Sequence, residues 1–163
     1  MTKPSGAEIS GYSGALEVNV VDFGADKKGK KDSSKAIQKA LDYAIDNGSN
    51  SVQIKVVVPK GKYRIDKLLE IYSNTWLYLE DGATIVRNFD KGCMIKNAQA
   101  NGAGGYGSER NIVIEGGCWD GNPSSTSRPF SNMRFGHMKN LWIKNVEIKN
   151  NYNGHHVEIG GGK

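Results

Sequence analysis

Two spacings of apolar residues divide the chain. Between Ser33 and Asp46 the residues Ala36, Ile37, Ala40, Leu41, Ala44 and Ile45 recur three and four positions apart, which aligns their side chains along one helical face. Asp32 stands before this run as an N-cap and Asn47-Gly48 follows as a stop, so one amphipathic helix is expected over about 33–46. Its apolar stripe, with Ile37, Leu41 and Ile45, should rest on the first turn of whatever follows. After Gly48 no second helical period occurs. Residues become β-branched and aromatic, alternate apolar with polar, and are punctuated by Gly and Asn. Val56-Val57-Val58, Tyr63-Arg64-Ile65 and Trp76-Leu77-Tyr78-Leu79 read as short strands, separated by Pro59 and Gly61 and closed by the turn Asp81-Gly82.

The strands also repeat. Asn111-Ile112-Val113-Ile114 followed by Glu115-Gly116-Gly117 is matched by Asn140-Leu141-Trp142-Ile143 followed by Lys144-Asn145-Val146. A stricter register relates Met133-Arg134-Phe135-Gly136 to Val157-Glu158-Ile159-Gly160, and Lys139 to Lys163, at an offset of 24 residues. A repeat of this size, with two or three short strands and no helix, marks one coil of a β-solenoid. Alternation then turns Met133, Phe135, Val157 and Ile159 inward. Arg134 and Glu158 face outward on adjacent rungs about 4.8 Å apart, an expected ion pair. The corners need bends and left-handed backbone that Gly and Asn accept, which accounts for the 21 glycines.

Three segments carry a resemblance to a known family. Val20-Val21-Asp22-Phe23-Gly24-Ala25, with the acidic N-cap and Ala36-Ile37-Gln38-Lys39-Ala40, resembles the opening of pectate-lyase-like β-helices. Val58-Pro59-Lys60-Gly61-Lys62-Tyr63 resembles their first-coil turn, and Asn111 to Asn122 is similar to a coil of polygalacturonases. The resemblance covers about Val18 to Lys163. It implies a mainly β fold, a right-handed parallel β-helix over 15–163 whose N-terminal end is plugged by the helix, preceded by a Ser- and Gly-rich flexible arm over 1–14. Phage tail spikes and other carbohydrate-directed adhesins use the same scaffold. The family's polygalacturonases carry paired aspartates, a Gly-His-Gly turn and an Arg-x-Lys pair on coils downstream of the aligned region, and its pectate lyases carry a calcium-binding acidic set with a basic catalytic residue. None of these motifs occurs in this chain, so no catalytic residue, metal or cofactor is expected. The implied function is a non-catalytic, carbohydrate-recognising module such as a tail-spike or receptor-binding protein, partnered by a cell-surface polysaccharide and placed outside the cell or on a virion. The alternative is a fragment or divergent member of the polysaccharide lyases or glycoside hydrolases, and a third reading is a structural spacer.

Composition alters this picture little. A chain of 163 residues with 37% hydrophobic and 24% charged residues suits one globular domain. No apolar run approaches the roughly 18 residues needed to cross a bilayer, and no membrane partner is expected. The net charge of +5 would suit an anionic partner, but most lysines are scattered among carboxylates, and nucleic acid is not expected. The one dense run, Lys27, Lys28, Lys30 and Lys31, is read as a solvated Gly-containing loop. Cys93 and Cys118 have no metal-ligand or redox spacing and read as buried free thiols.

Candidate carbohydrate contacts are Trp119 and Asp120, with Tyr152 on a later coil, the outward Arg134 and Glu158, and His156, which on a strand would face outward where His155 faces inward. Core packing competes for Trp119. Glu115 and Asp120 form a close acid pair, but they flank a Gly-Gly turn and read as two solvated acids rather than a glycosidase dyad. Gly102 to Gly107 lacks the context of a phosphate-binding loop. The stretches 98–109 and 122–131 read as inserted loops fit for binding. The 24-residue register calls for a further strand after Lys163. An open end is therefore expected, covered by further coils or by self-association, a trimer by analogy with tail spikes.

Overall fold

The computed structural model describes residues 14–101 and 105–161. Three parallel sheets run along a right-handed β-helix. Sheet A holds β1 (Gly14–Asn19), β3 (Val52–Val58), β6 (Thr75–Leu79), β9 (Arg110–Glu115) and β12 (Lys139–Lys144). Sheet B holds β2 (Lys28–Asp32), β4 (Gly61–Ile65), β7 (Ala83–Arg87), β10 (Cys118–Asp120) and β13 (Glu147–Lys149). Sheet C holds β5 (Leu69–Ile71), β8 (Ile95–Asn97), β11 (Met133–Gly136) and β14 (Val157–Gly160). Each coil from β3 onward contributes one strand to each sheet, whereas the first gives β1 and β2 and then α1 in place of a strand of sheet C. Alternation fills the interior with one side chain in two, so that Tyr63, Ile85, Trp119 and Ile148 stack in register from rung to rung. The first three of these are fully buried.

The expected pairing of Met133 with Val157 and Phe135 with Ile159 is present at the predicted offset. One rung earlier, Met133 pairs with Ile95, 38 residues back, because the segments 98–109 and 122–131 lengthen that coil. Asn74, just before β6, and Asn111 and Asn140, the second residues of β9 and β12, adopt left-handed backbone with φ of 62°, 58° and 55°. Asn140 Nδ2 donates to Asn111 Oδ1 (2.9 Å) and Asn111 Nδ2 to Asn74 Oδ1 (3.1 Å), a ladder that locks the coils in phase. Asn supplies both the tolerated φ and the amide that bonds to its copy above.

Helix α1 (Ser34–Asn47) packs against β3, β5 and the 3-10 turn Val20–Phe23. It buries Ala36, Ile37, Ala40, Leu41 and Ala44, whereas Ile45, expected on the same stripe, is 56% exposed. Ile45 lies eight residues after Ile37, and at 100° per residue that is 80° round the helix, off the docked face. The cap position is Ser33 rather than Asp32, whose Oδ1 instead accepts the Ser34 amide (2.8 Å) and hydroxyl (2.6 Å). Gln38 treats β5 as a neighbouring strand would. Its Nε2 donates to the Glu70 carbonyl (2.9 Å) and its Oε1 accepts the Glu70 amide (2.8 Å), satisfying the exposed edge of sheet C. Of the basic run expected as a loop, Lys27 lies in a turn, but Lys28, Lys30 and Lys31 lie on strand β2, recruited by pairing with β4. The expected arm over 1–14 lies outside the described residues except for Gly14, which opens β1, and Lys163 lies outside them too.

Candidate functional site

The outward positions of sheet C form one charged row. In register, Glu70, Lys96, Arg134 and Glu158 occupy four successive rungs. The two outer acids each take one inner cation: Lys96 Nζ stands 3.0 Å from Glu70 Oε1, and Arg134 Nε 3.3 Å from Glu158 Oε1. The Arg134–Glu158 pair is the one anticipated from alternation. Ser131 Oγ donates to the second Glu158 oxygen at 3.1 Å and fixes that carboxylate. Between Lys96 and Arg134 two cations adjoin across one rung, a notch with no carboxylate of its own. The Arg134–Glu158 pair is exposed, and such pairs contribute only about 0–1 kcal/mol, so the guanidinium can turn to an incoming anion at little cost, whereas Lys96 is half-buried. Beside the row lies an open groove of about 500 Å³, walled by Phe130, Asn101, Asn153 and His155 and floored near Cys93. Burial pushes the Cys93 thiol pKa up, so it lies there as a neutral, weakly polar group.

The walls are tied to the barrel from below. Arg87, the last residue of β7, is fully buried and its guanidinium lies between the rings of Phe89 and Phe130, 4.3 and 4.0 Å from their centroids. It donates to Ser125 Oγ (3.1 Å) and to the Gly92 carbonyl (3.2 Å), while its own carbonyl accepts from Asn122 Nδ2 (2.9 Å). Burial lowers its pKa, but an arginine stays charged. One side chain thus joins the turns on both sides of the groove. Across the sheet, Asn97 Nδ2 donates to buried Glu109 (2.6 Å) and to the Gly136 carbonyl (3.0 Å), and its Oδ1 accepts the Gly136 amide (2.9 Å). That network holds the 98–109 segment against β11. Gly154 has to be glycine for contact reasons, since a Cβ there would strike the Phe130 carbonyl.

Of the sequence-derived candidates, Arg134 and Glu158 share this groove and the other four do not line it. Trp119 points into the core with no exposed surface and is no stacking platform. Asp120 faces out from sheet B, where it accepts the Asn122 amide (3.0 Å) and Asn150 Nδ2 (2.9 Å). Tyr152 is half-buried and its carbonyl accepts the Phe130 amide (3.2 Å), so it braces the wall through its backbone. His155 and His156 precede β14 rather than lying on it, so strand alternation does not separate them. Both are exposed, His155 lining the groove and His156 Nδ1 standing 3.4 Å from Asn132 Oδ1. Glu115 projects from sheet A, where it accepts the Trp76 indole N–H (3.0 Å) and meets Lys144 (3.3 Å). It and Asp120 serve different faces and form no dyad.

Sequence reading missed Glu70, Lys96, Phe130 and Arg87. Leu69-Glu70-Ile71 and Ile95-Lys96-Asn97 share with Met133-Arg134-Phe135 the alternation that sets the charge outward, and aligning the three would have extended the row.

Over residues 17–161 the chain matches the family described as rhamnogalacturonase A/epimerase, pectate lyase-like. It is 31% identical over 170 residues to the plasmin and fibronectin-binding protein A of Streptococcus pneumoniae (strain ATCC BAA-255 / R6). That match covers 90% of this chain and 22% of the relative, so the chain spans under a quarter of that protein's length. Among solved structures, the A-module of the Azotobacter vinelandii mannuronan C-5 epimerase AlgE4 superposes with a TM-score of 0.71 at 22% identity, over 87% of this chain and 41% of that one. A family 28 exopolygalacturonase of Yersinia enterocolitica gives 0.71 at 19% identity, over 91% and 38%. PfbA, a surface adhesin of Streptococcus pneumoniae, gives 0.66 at 22% identity, over 90% and 38%. At these identities the structural likeness is one of fold.

Proposed function

This chain belongs to the rhamnogalacturonase A/epimerase, pectate lyase-like family, and we propose that it works as a carbohydrate-recognising module that binds an acidic polysaccharide on the outward face of sheet C. The observation that carries the reading is the notch between Lys96 and Arg134, set on adjacent rungs beside a groove and flanked by Glu70 and Glu158. The cations suit a sugar carboxylate and the acids suit ring hydroxyls. The streptococcal relative is by name a plasmin- and fibronectin-binding protein, and its solved counterpart is called a surface adhesin. That supports a cell-surface or extracellular setting and favours an adhesive role over the tail-spike form of the same idea.

A titration with an oligogalacturonate tests the proposal. Arg134→Ala and Lys96→Ala should each weaken binding at least tenfold, and a neutral oligosaccharide of equal length should bind more weakly than the acidic one. Unchanged affinity in Arg134→Ala would remove the groove from the function. The family description favours a second reading, a piece of a polysaccharide-active enzyme. Turnover of pectin by this chain would establish that reading instead.

A further inference from the structure

A second basic surface lies away from the groove, at the corner where β2 and β4 pair. Lys27, Lys28, Lys30, Lys31, Lys60 and Lys62 are all exposed there. Lys28 and Lys62 sit opposite each other in register. The stems are laid on glycines: a Cβ on Gly29 would lie 3.0 Å from Lys62 Cγ, one on Gly61 3.0 Å from Lys27 Cβ, and one on Gly82 3.2 Å from Lys60 Cγ. The small residues therefore bring the lysines together rather than leave them apart.

Nearby carboxylates keep their charge but turn their oxygens to backbone amides rather than to the lysine ammonium groups. Asp26 turns both oxygens to the amides of Lys28, Lys30 and Lys31, Glu80 accepts the Lys60 amide (3.0 Å), and Asp32 accepts the amides of Ser34 and Asp66. Each sheet has an outward lysine that meets an acid, Lys55–Glu17, Lys149–Glu147 and Lys96–Glu70, and among the described residues none of these six lysines does. Edge strands carry lysine to deter pairing with other chains, and β2 is such an edge. That accounts for Lys28 or Lys30 but not for Lys60 and Lys62, which lie in the turn before β4 and on β4, inside the sheet.

We propose that this lysine corner binds a sulfated linear glycan. Six compact point charges within two rungs, with Arg64 committed to Asp66 and to the Lys30 carbonyl, match a polymer bearing several charges per sugar better than single carboxylates read by a bidentate arginine. Binding of this kind weakens steeply with salt.

Fluorescence anisotropy with labelled heparin as the probe tests the proposal across a range of sodium chloride concentrations. Lys28→Glu/Lys62→Glu should weaken heparin binding more than tenfold and flatten its salt dependence, while Lys28→Arg/Lys62→Arg retains it. The double reversal Arg110→Glu/Lys139→Glu makes the same change in net charge at exposed positions on sheet A and should cost less than threefold. Equal losses in the two reversals, or duplex DNA bound as tightly as heparin, would overturn the proposal. Oligogalacturonate binding should survive Lys28→Glu/Lys62→Glu, so failure of the corner and failure of the groove are separate results.

Discussion

Asp26 illustrates how much one carboxylate arranges. Its oxygens accept the amides of Lys31 (2.8 Å), Lys28 (3.1 Å) and Lys30 (2.8 Å), and these bonds, led by Lys31 and Lys28, hold its pKa below the ordinary 3.8. A folded-state pKa depressed below the unfolded one adds stability that is present above the unfolded value and lost as pH falls through the folded one. Asp26→Asn should therefore lower the melting temperature by more at pH 7 than at about pH 2, because the stabilisation is lost progressively as pH falls through the depressed folded-state pKa. Melting curves at both values check this, and an equal deficit at both would show that the charge is immaterial. Individual residues were unevenly legible in the sequence. Arg134 and Glu158 follow from alternation on strands of adjacent rungs, and their ion pair is present. Trp119 sits one residue into a three-residue strand after Gly116-Gly117, where a bend resets which face comes first, so the sequence leaves its direction open. Trp142, an apolar member of Asn-Leu-Trp-Ile, faces out because Leu141 and Ile143 take the inward phase.

The helix was legible as an element and misread at one margin. Leu41 is fully buried, so Leu41→Ala should cost about 2–5 kcal/mol in denaturant melts, the usual range for a buried leucine. Ile45 is more than half exposed, and Ile45→Ala should cost under about 0.5 kcal/mol, as for surface positions. Comparable costs at both sites would mean that α1 docks on a different face. Strand β2 was illegible for another reason. Lys-Gly-Lys-Lys-Asp has no apolar alternation to read, and its extended form comes from pairing with β4, a contact between distant parts of the chain.

At the scale of the whole molecule, the solenoid places residues far apart in sequence on one face at rung spacing. Glu70 and Glu158 become neighbours of the same cation row only because intervening coils close on themselves. The 24-residue repeat predicted the last rung, but the longer coil between β8 and β11 broke the period and hid Lys96 from it. Arg87 was equally hidden, since its role depends on Phe89 and Phe130 meeting from separate turns. The proposed function puts contact with an acidic polysaccharide on the outward face of sheet C. Amide chemical-shift mapping during titration with an oligogalacturonate tests it most directly. The saturable shifts should gather on Lys96, Ser131, Arg134, His155 and Glu158. Shifts gathered on sheet A or sheet B, with that set unmoved at saturation, would contradict it.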